Sequence, residues 1–368
     1  MATKTVLVAG ASGLAGYAAL KHFARESGTR VIGVSRRAPP EPNGAEFMPV
    51  DLADPRQCAE AASAFGGVTH LVYAAHFEMP SLVQGWRDEE QILTNGRMLR
   101  NLLEPLAVAA SGLRHVTLLQ GTKAYGVHVR PMKVPAREGR SELREQPNFY
   151  WAQEDYLRAK QTGSSWHWTI VRPVQIVGEA VGGAMNLIPA LGVHAAIQRA
   201  EGDVLPYPGG APRVSQAVDA DLLARAIGWA GEAPNARNET FNVANGDVFV
   251  WENVWPAIAS AVGMRVGPAQ SFSLQSHLSG TGVAAWDTIR RRDRLAAPAL
   301  LPFVGQSLEY ADYVLRHGKA EPGAVSFVST VKIMQAGFHE VMDTEAMFAK
   351  WFRHYQETRL LPAREHLR

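Results

Sequence analysis

The strongest constraint on the fold lies at the start of the chain. Thr5 to Ala9 is a short, unbroken apolar run that passes directly into Gly10-Ala11-Ser12-Gly13-Leu14-Ala15-Gly16 and then into an alanine-rich helical stretch reaching about Arg25. Such a run suits a central parallel strand covered on both faces. Glycines spaced Gly-x-x-Gly-x-x-Gly at a strand-to-helix turn let a pyrophosphate approach the backbone, while the helix N-terminus faces its charge. A glycine triplet alone is weak evidence. Placed behind an opening strand, it predicts dinucleotide binding through Gly10, Ser12, Gly13, Leu14, Ala15 and Gly16.

The segments that follow keep the pattern. Arg30 to Val34 reads as a second strand ending in Ser35-Arg36-Arg37. An NAD-selecting site typically carries Asp or Glu at this strand end for the ribose 2′-hydroxyl, and that acid would repel a 2′-phosphate. Ser35, Arg36 and Arg37 offer a hydroxyl and two guanidinium forks instead, which favours NADPH. A third strand ends near Val50-Asp51-Leu52. Asp51 either meets the adenine amino group or caps the helix that begins near Pro55. His70 to Ala75 is a fourth strand that leaves Ala74, Ala75 and His76 at the carboxyl edge beside the cofactor, with His76 read as a wall residue rather than a catalyst. A long helix over 89–110 carries Asn95 and Asn101 among core leucines, and His115 to Leu119 is a fifth strand. Strand alternating with helix specifies an α/β fold, a Rossmann-type doubly wound parallel sheet whose binding crevice lies at the carboxyl ends of its strands.

A chain of 368 residues can bury a large core and allows one large domain, or a domain with a smaller lobe. With 46% apolar residues, 20% charged residues and a formal net charge of +2, it offers no basic stripe for nucleic acid. Cys58 is the only cysteine, so no intrachain disulfide can form. No secretory pattern opens the chain, and no stretch approaches the ~20 apolar residues of a membrane span, so the expected location is cytoplasmic. No grouping of His, Cys, Asp or Glu has metal-ligand spacing.

The chemistry centres on Asn148-Phe149-Tyr150-Trp151 and the Glu154 that follows. Hydride-transferring short-chain dehydrogenases usually open a helix with Tyr-x-x-x-Lys, the lysine one turn on and on the same face, where it lowers the phenol pKa. Here Glu154 stands in the lysine's place. Like-charge repulsion would raise the phenol's pKa, so either Tyr150 does no chemistry or a cation reaches it from another segment. The candidate is Lys123, in the run Gly121-Thr122-Lys123-Ala124-Tyr125 that leaves the fifth strand.

The chain resembles the extended branch of the short-chain dehydrogenases, and more narrowly the progesterone 5β-reductase and iridoid synthase family of enone reductases. The narrower resemblance rests on Gly10 to Gly16, Ser35-Arg36-Arg37, Gly121 to Tyr125, Asn148 to Trp151 with Glu154-Asp155, Arg172-Pro173, Met185-Asn186 and Asn245-Gly246-Asp247-Val248-Phe249, in order over some 250 residues. It implies that Lys123 pairs with Tyr150, which accounts for the missing Tyr-x-x-x-Lys. It further implies NADPH-dependent 1,4-reduction of an enone or enal, with Tyr150 donating to the oxygen that becomes an enolate and Lys123 supplying positive charge beside the nicotinamide ribose. Pro173, Val174 and Ile176 follow a sixth strand at the positions where extended members contact the nicotinamide amide. Met185, Asn186 and Phe327 fall in the family's pocket segments, and Val127 with His128 replaces a Pro and an aromatic there, which argues against a steroid substrate.

The expected organisation is a NADPH-binding domain over residues 1–180, with elements from about 214–250 packed on it, and a substrate-binding lobe of 181–213 and 251–368. Asp219 and Asp221 are expected as helix caps. The expected partner is a small enone or enal, and a homodimer is compatible with the sequence. Two alternatives remain. A carbonyl reductase or epimerase-like enzyme of the same superfamily would call for a lysine at 154, and a nucleotide sensor would bind NADPH without turnover.

Overall fold

The computed structural model describes residues 4–202 and 204–364. The outer ends of the two expected lobes, 1–3 and 365–368, and position 203 lie outside the described residues. The chain divides into two compact units, one of Met1–Val174, Ala220–Ala244 and Val328–Val341, the other of Gln175–Asp219, Asn245–Phe327 and Met342–Arg368.

In the first unit six strands follow in chain order: β1 (Lys4–Ala9), β2 (Thr29–Ser35), β3 (Glu46–Pro49), β4 (His70–Tyr73), β5 (His115–Leu119) and β6 (His167–Pro173). A seventh, Glu239–Val243, pairs with β6. Across the sheet the order is Glu239–Val243, β6, β5, β4, β1, β2, β3, and every pairing is parallel. Val6, Leu7, Val8 and Ala9 on the central strand are all fully buried, as a run apolar on both faces requires. The order reverses between β1 and β4, and that switch point opens the crevice in which open α/β sheets bind their ligands.

Caps fix where the helices begin. Asp54 accepts from the amides of Arg56 and Gln57 and starts the helix Pro55–Ala61. Asp51, one of whose two expected roles was this cap, instead turns its Oδ1 onto the Ala53 amide at 3.0 Å. Asp88 caps Glu89–Ala109, whose Leu99, Leu102, Leu103 and Leu106 form a stripe at helical spacing with no solvent exposure. Each such leucine contributes roughly 2 kcal/mol of transfer free energy.

In the second unit the helix Leu187–Glu201 is buried on every face from Leu187 to Ile197. Gln175–Val177 pairs with Ala217–Asp219 in parallel, and Val214–Ser215 with Phe249–Val250 in antiparallel fashion. Asp219, expected only as a cap, is 1% exposed and accepts from Lys350 Nζ at 2.9 Å and Trp351 Nε1 at 2.9 Å, both on the helix Thr344–Glu357. Among the described residues no helix is long and apolar enough to cross a membrane.

At the amino ends of three neighbouring strands, His70, His115 and His167 stand in register. Burial, with His70 and His167 alongside, pushes the His115 imidazole down to about 3. The ring stays neutral in the folded state while the unfolded chain takes up a proton below about 6.5, so this residue makes stability fall as pH drops from 6.5 toward 3. We expect His115→Asn to lose this penalty. Measured by urea unfolding, its stability deficit relative to the parent chain should narrow by about 2 kcal/mol between pH 7 and pH 5.

Candidate functional site

The glycine turn has the shape a pyrophosphate needs. Gly10 has φ +82°, and a methyl group there would stand 2.8 Å from the Cα of Ala75, so β1 can approach the end of β4 only with glycine in this place. A methyl on Gly16 would lie 2.1 Å from the Gly10 carbonyl oxygen, which is how the helix Leu14–Ala24 packs tight against the turn. Gly13 caps that helix without a side-chain bond, and its first turn, with Leu14 and Ala15, holds no acid. The backbone cradle therefore fits a dinucleotide, and Ser12, Ala74 and Ala75 line the same edge. At the end of β2, Ser35 is buried and gives its hydroxyl to the Arg37 carbonyl at 2.7 Å, whereas Arg36 and Arg37 are exposed. Of the remaining residues assigned to the cofactor, Leu52 is buried and Asp51 half-buried beyond β3, Pro173 and Val174 close β6, and Ile176 belongs to the second unit.

Tyr150 and Lys123 are joined by one side chain. Asn148 caps the helix Phe149–Gln161 by accepting from the Tyr150 amide at 3.1 Å, and its own amide donates to the Lys123 carbonyl at 3.3 Å. Gln120, next after β5, donates to the Tyr150 carbonyl at 3.1 Å. The phenol packs edge-on to Phe149 at 4.6 Å, and a methyl group on Gly121 would come within 3.1 Å of its hydroxyl. Burial pushes the phenol well above its ordinary value, Glu78 adds to the rise, and Arg172 opposes it. A phenol raised in this way keeps its proton at neutral pH.

Glu154 does not act on Tyr150 as its position in the helix suggested. Its carboxylate accepts from Arg172 Nη2 at 3.2 Å, Arg144 Nη2 at 2.7 Å and Arg158 Nη2 at 3.0 Å. Arg172 is 1% exposed and is held further by Glu142 at 2.6 Å and by Gln120 at 2.8 Å. The acid that works on the phenol is Glu78, in the loop after β4. Its side chain is 7% exposed, 3.7 Å from Lys123 Nζ and 3.6 Å from His76 Nε2. Residues on the long helix set that loop: Asn95 bonds both the amide and the carbonyl of Phe77, and Gln91 donates to Glu78 Oε2 at 2.7 Å. At this edge the sequence singles out His76 and not Glu78. The signal available was a lone acid two residues farther along the carboxyl edge.

The residues assigned to the substrate pocket divide between the units. Val127 and His128 are half-buried in the first, where the His128 ring meets Trp86 edge-on at 6.2 Å and burial, with Lys123 and Arg87 near, pushes it down to about 4. Met185 and Phe327 are half-buried in the second unit. Asn186, expected as a polar pocket contact, is 1% exposed and committed to the backbone: it caps Leu187–Glu201 and donates to the Gly178 and Ala180 carbonyls and to the Tyr355 hydroxyl. Its duty is structural.

Removing one partner of a buried ion pair leaves the other uncompensated, at a cost of about 3 kcal/mol or more. We expect Arg172→Met, which takes from Glu142 its buried guanidinium and from Glu154 one of its three, to lose at least that much in urea unfolding. Glu154→Gln, which leaves Arg172 on Glu142, should lose less.

Comparison with known proteins gives the site its context. The PRISE-like Rossmann-fold domain matches residues 65–275, more than half of the chain. An (S)-8-oxocitronellyl enol synthase of Nepeta racemosa is 32% identical over 351 residues, spanning 90% of this chain and 86% of that protein. One from Camptotheca acuminata is 31% identical over 358 residues with the same coverage, 90% and 86%. Among solved structures, a Thermus thermophilus UDP-glucose 4-epimerase in complex with NAD aligns with TM-score 0.62 at 18% identity, covering 96% of this chain and 99% of that one. A short-chain dehydrogenase/reductase superfamily protein from Agrobacterium tumefaciens with bound NAD aligns with TM-score 0.64 at 17% identity, covering 99% and 100%. The structural likenesses establish the fold. The family match and the enol synthase relatives together show that the chain belongs to the PRISE-like Rossmann-fold family.

Proposed function

We propose that the chain is an NADPH-dependent reductase of activated carbon-carbon double bonds, acting on enals and enones. Gly10 to Gly16 would hold NADPH, with Arg36 and Arg37 taking its 2′-phosphate, and the bound cofactor would supply the hydride for the β-carbon. The protein's own part is to stabilise the charge that grows on the carbonyl oxygen. Tyr150 donates a hydrogen bond there, an oxyanion-type contact worth ~3 kcal/mol for a well-placed donor. Lys123 supplies positive charge and orients the cofactor's ribose. The observation that carries this reading is the Tyr150 phenol, buried and tied through Asn148 to the turn bearing Lys123.

A protonated phenol favours holding an enolate over abstracting a proton. The relatives' name, enol synthase, fits a site that releases such a product. Carbonyl reduction or epimerisation would use a lysine at 154, whereas Glu154 is taken up by three guanidinium groups. The direct test follows NADPH oxidation with 8-oxogeranial, 2-cyclohexen-1-one and progesterone. Absence of turnover with all three would leave a nucleotide sensor as the better reading.

Two variants test the assigned residues. Tyr150→Phe should lower kcat by about 100-fold, the equivalent of one lost donor, with the NADPH dissociation constant within about twofold of the parent. Arg36→Ala should weaken NADPH binding about tenfold, as loss of a charge-assisted phosphate contact does, and leave NADH binding little changed.

A further inference from the structure

We propose that Glu78 is a positioning residue of this site: its carboxylate is the counter-charge that holds the Lys123 side chain against the Trp86 ring. The inference deepens the reductase reading and rests on it for its kinetic arm alone.

The geometry around Glu78 is built, not incidental. Lys123 Nζ lies 4.5 Å above the Trp86 ring and 3.7 Å from Glu78 Oε1. Glu78 Oε2 is fixed by Gln91, whose own Oε1 accepts from the Met79 amide at 2.8 Å, while Asn95 grips Phe77 on both sides of its peptide chain. Three consecutive loop residues are thus pinned from one helix, and the carboxylate between them is aimed. Its Oε1 is buried and has no hydrogen-bond partner among the described residues, so the lysine and His76 are the groups it can serve.

The electrostatics give that aim a purpose. Burial holds the Lys123 amine below its ordinary value, and the nearby Glu78 carboxylate opposes that fall without cancelling it. The other titratable groups nearby do not help: His128 is neutral and edge-on to the same Trp86 ring, Arg87 is bonded to the His128 carbonyl, and Tyr150 is protonated. Arg172, the remaining cation acting on Tyr150, is spent on Glu142 and Glu154. Glu78 has a cost, because its charge opposes an enolate beside Tyr150, but with the ammonium it forms a neutral pair. Without it, the lysine would shed its proton at lower pH and the site would lose its cation.

The test uses the full chain labelled with ε-¹³C lysine, the Lys123 resonance being identified by its loss in Lys123→Met. In Glu78→Gln the titration midpoint of Lys123 should fall by at least about one pH unit, a tenfold change in proton affinity, and the alkaline limb of kcat with NADPH and 2-cyclohexen-1-one should move with it. Glu78→Asp, which keeps the charge but sets it back by one methylene, should lie between, and it decides the matter should the glutamine variant fail to fold. A Lys123 midpoint unchanged from the parent chain in the folded variants overturns the proposal. A shifted midpoint in an enzyme that turns over no enone or enal upholds the pairing and overturns the reductase reading, whereas normal turnover with an unmoved midpoint does the reverse.

Discussion

A guanidinium that cannot reach water governs how the carboxyl edge of the first unit is built. Arg172, at the end of β6, is neutralised by Glu142 and Glu154 and bonded to Gln120. Through Gln120 the network reaches the Tyr150 carbonyl, and through Glu154 it grips the helix that carries Tyr150 in its first turn. An uncompensated charge in this interior would cost several kcal/mol, so strand, loop and helix are locked in one arrangement. The tyrosine is held from both sides, by Asn148 at its amide and Gln120 at its carbonyl.

Two acids near the tyrosine divide the labour. Glu154 is close in sequence, yet its charge is absorbed by three arginines. Glu78, far upstream in the chain, supplies the field that the phenol and the lysine both feel. On the proposed function, a protonated phenol beside a Lys123–Glu78 ion pair would form a neutral assembly, able to face negative charge on a substrate oxygen while carrying none of its own.

Much of this was legible in the residues themselves. The glycine turn, the strand ends and the alternating pattern specify the sheet, because backbone constraints act locally. Lys123 and Tyr150 could be singled out as well, since the lysine's absence at 154 demanded another source of charge. What escaped is long-range. Nothing local to Glu154 says that Arg172 will be buried against it, and nothing local to Glu78 says that Gln91 and Asn95, one turn apart, will fasten its loop. Asn186 misled because a polar residue heading a helix serves equally as a cap or a pocket contact, and only its packing tells which.

The arginine cluster also bears on how such a site could change over generations. A single Glu154→Lys replacement would restore the Tyr-x-x-x-Lys spacing, but it would set an ammonium among Arg144, Arg158 and Arg172, which lie at 2.7, 3.0 and 3.2 Å from the present carboxylate. Mutual repulsion there would penalise the intermediate before any catalytic benefit accrued. A lysine at 154 would therefore be compatible with this interior only if the surrounding arginines changed with it.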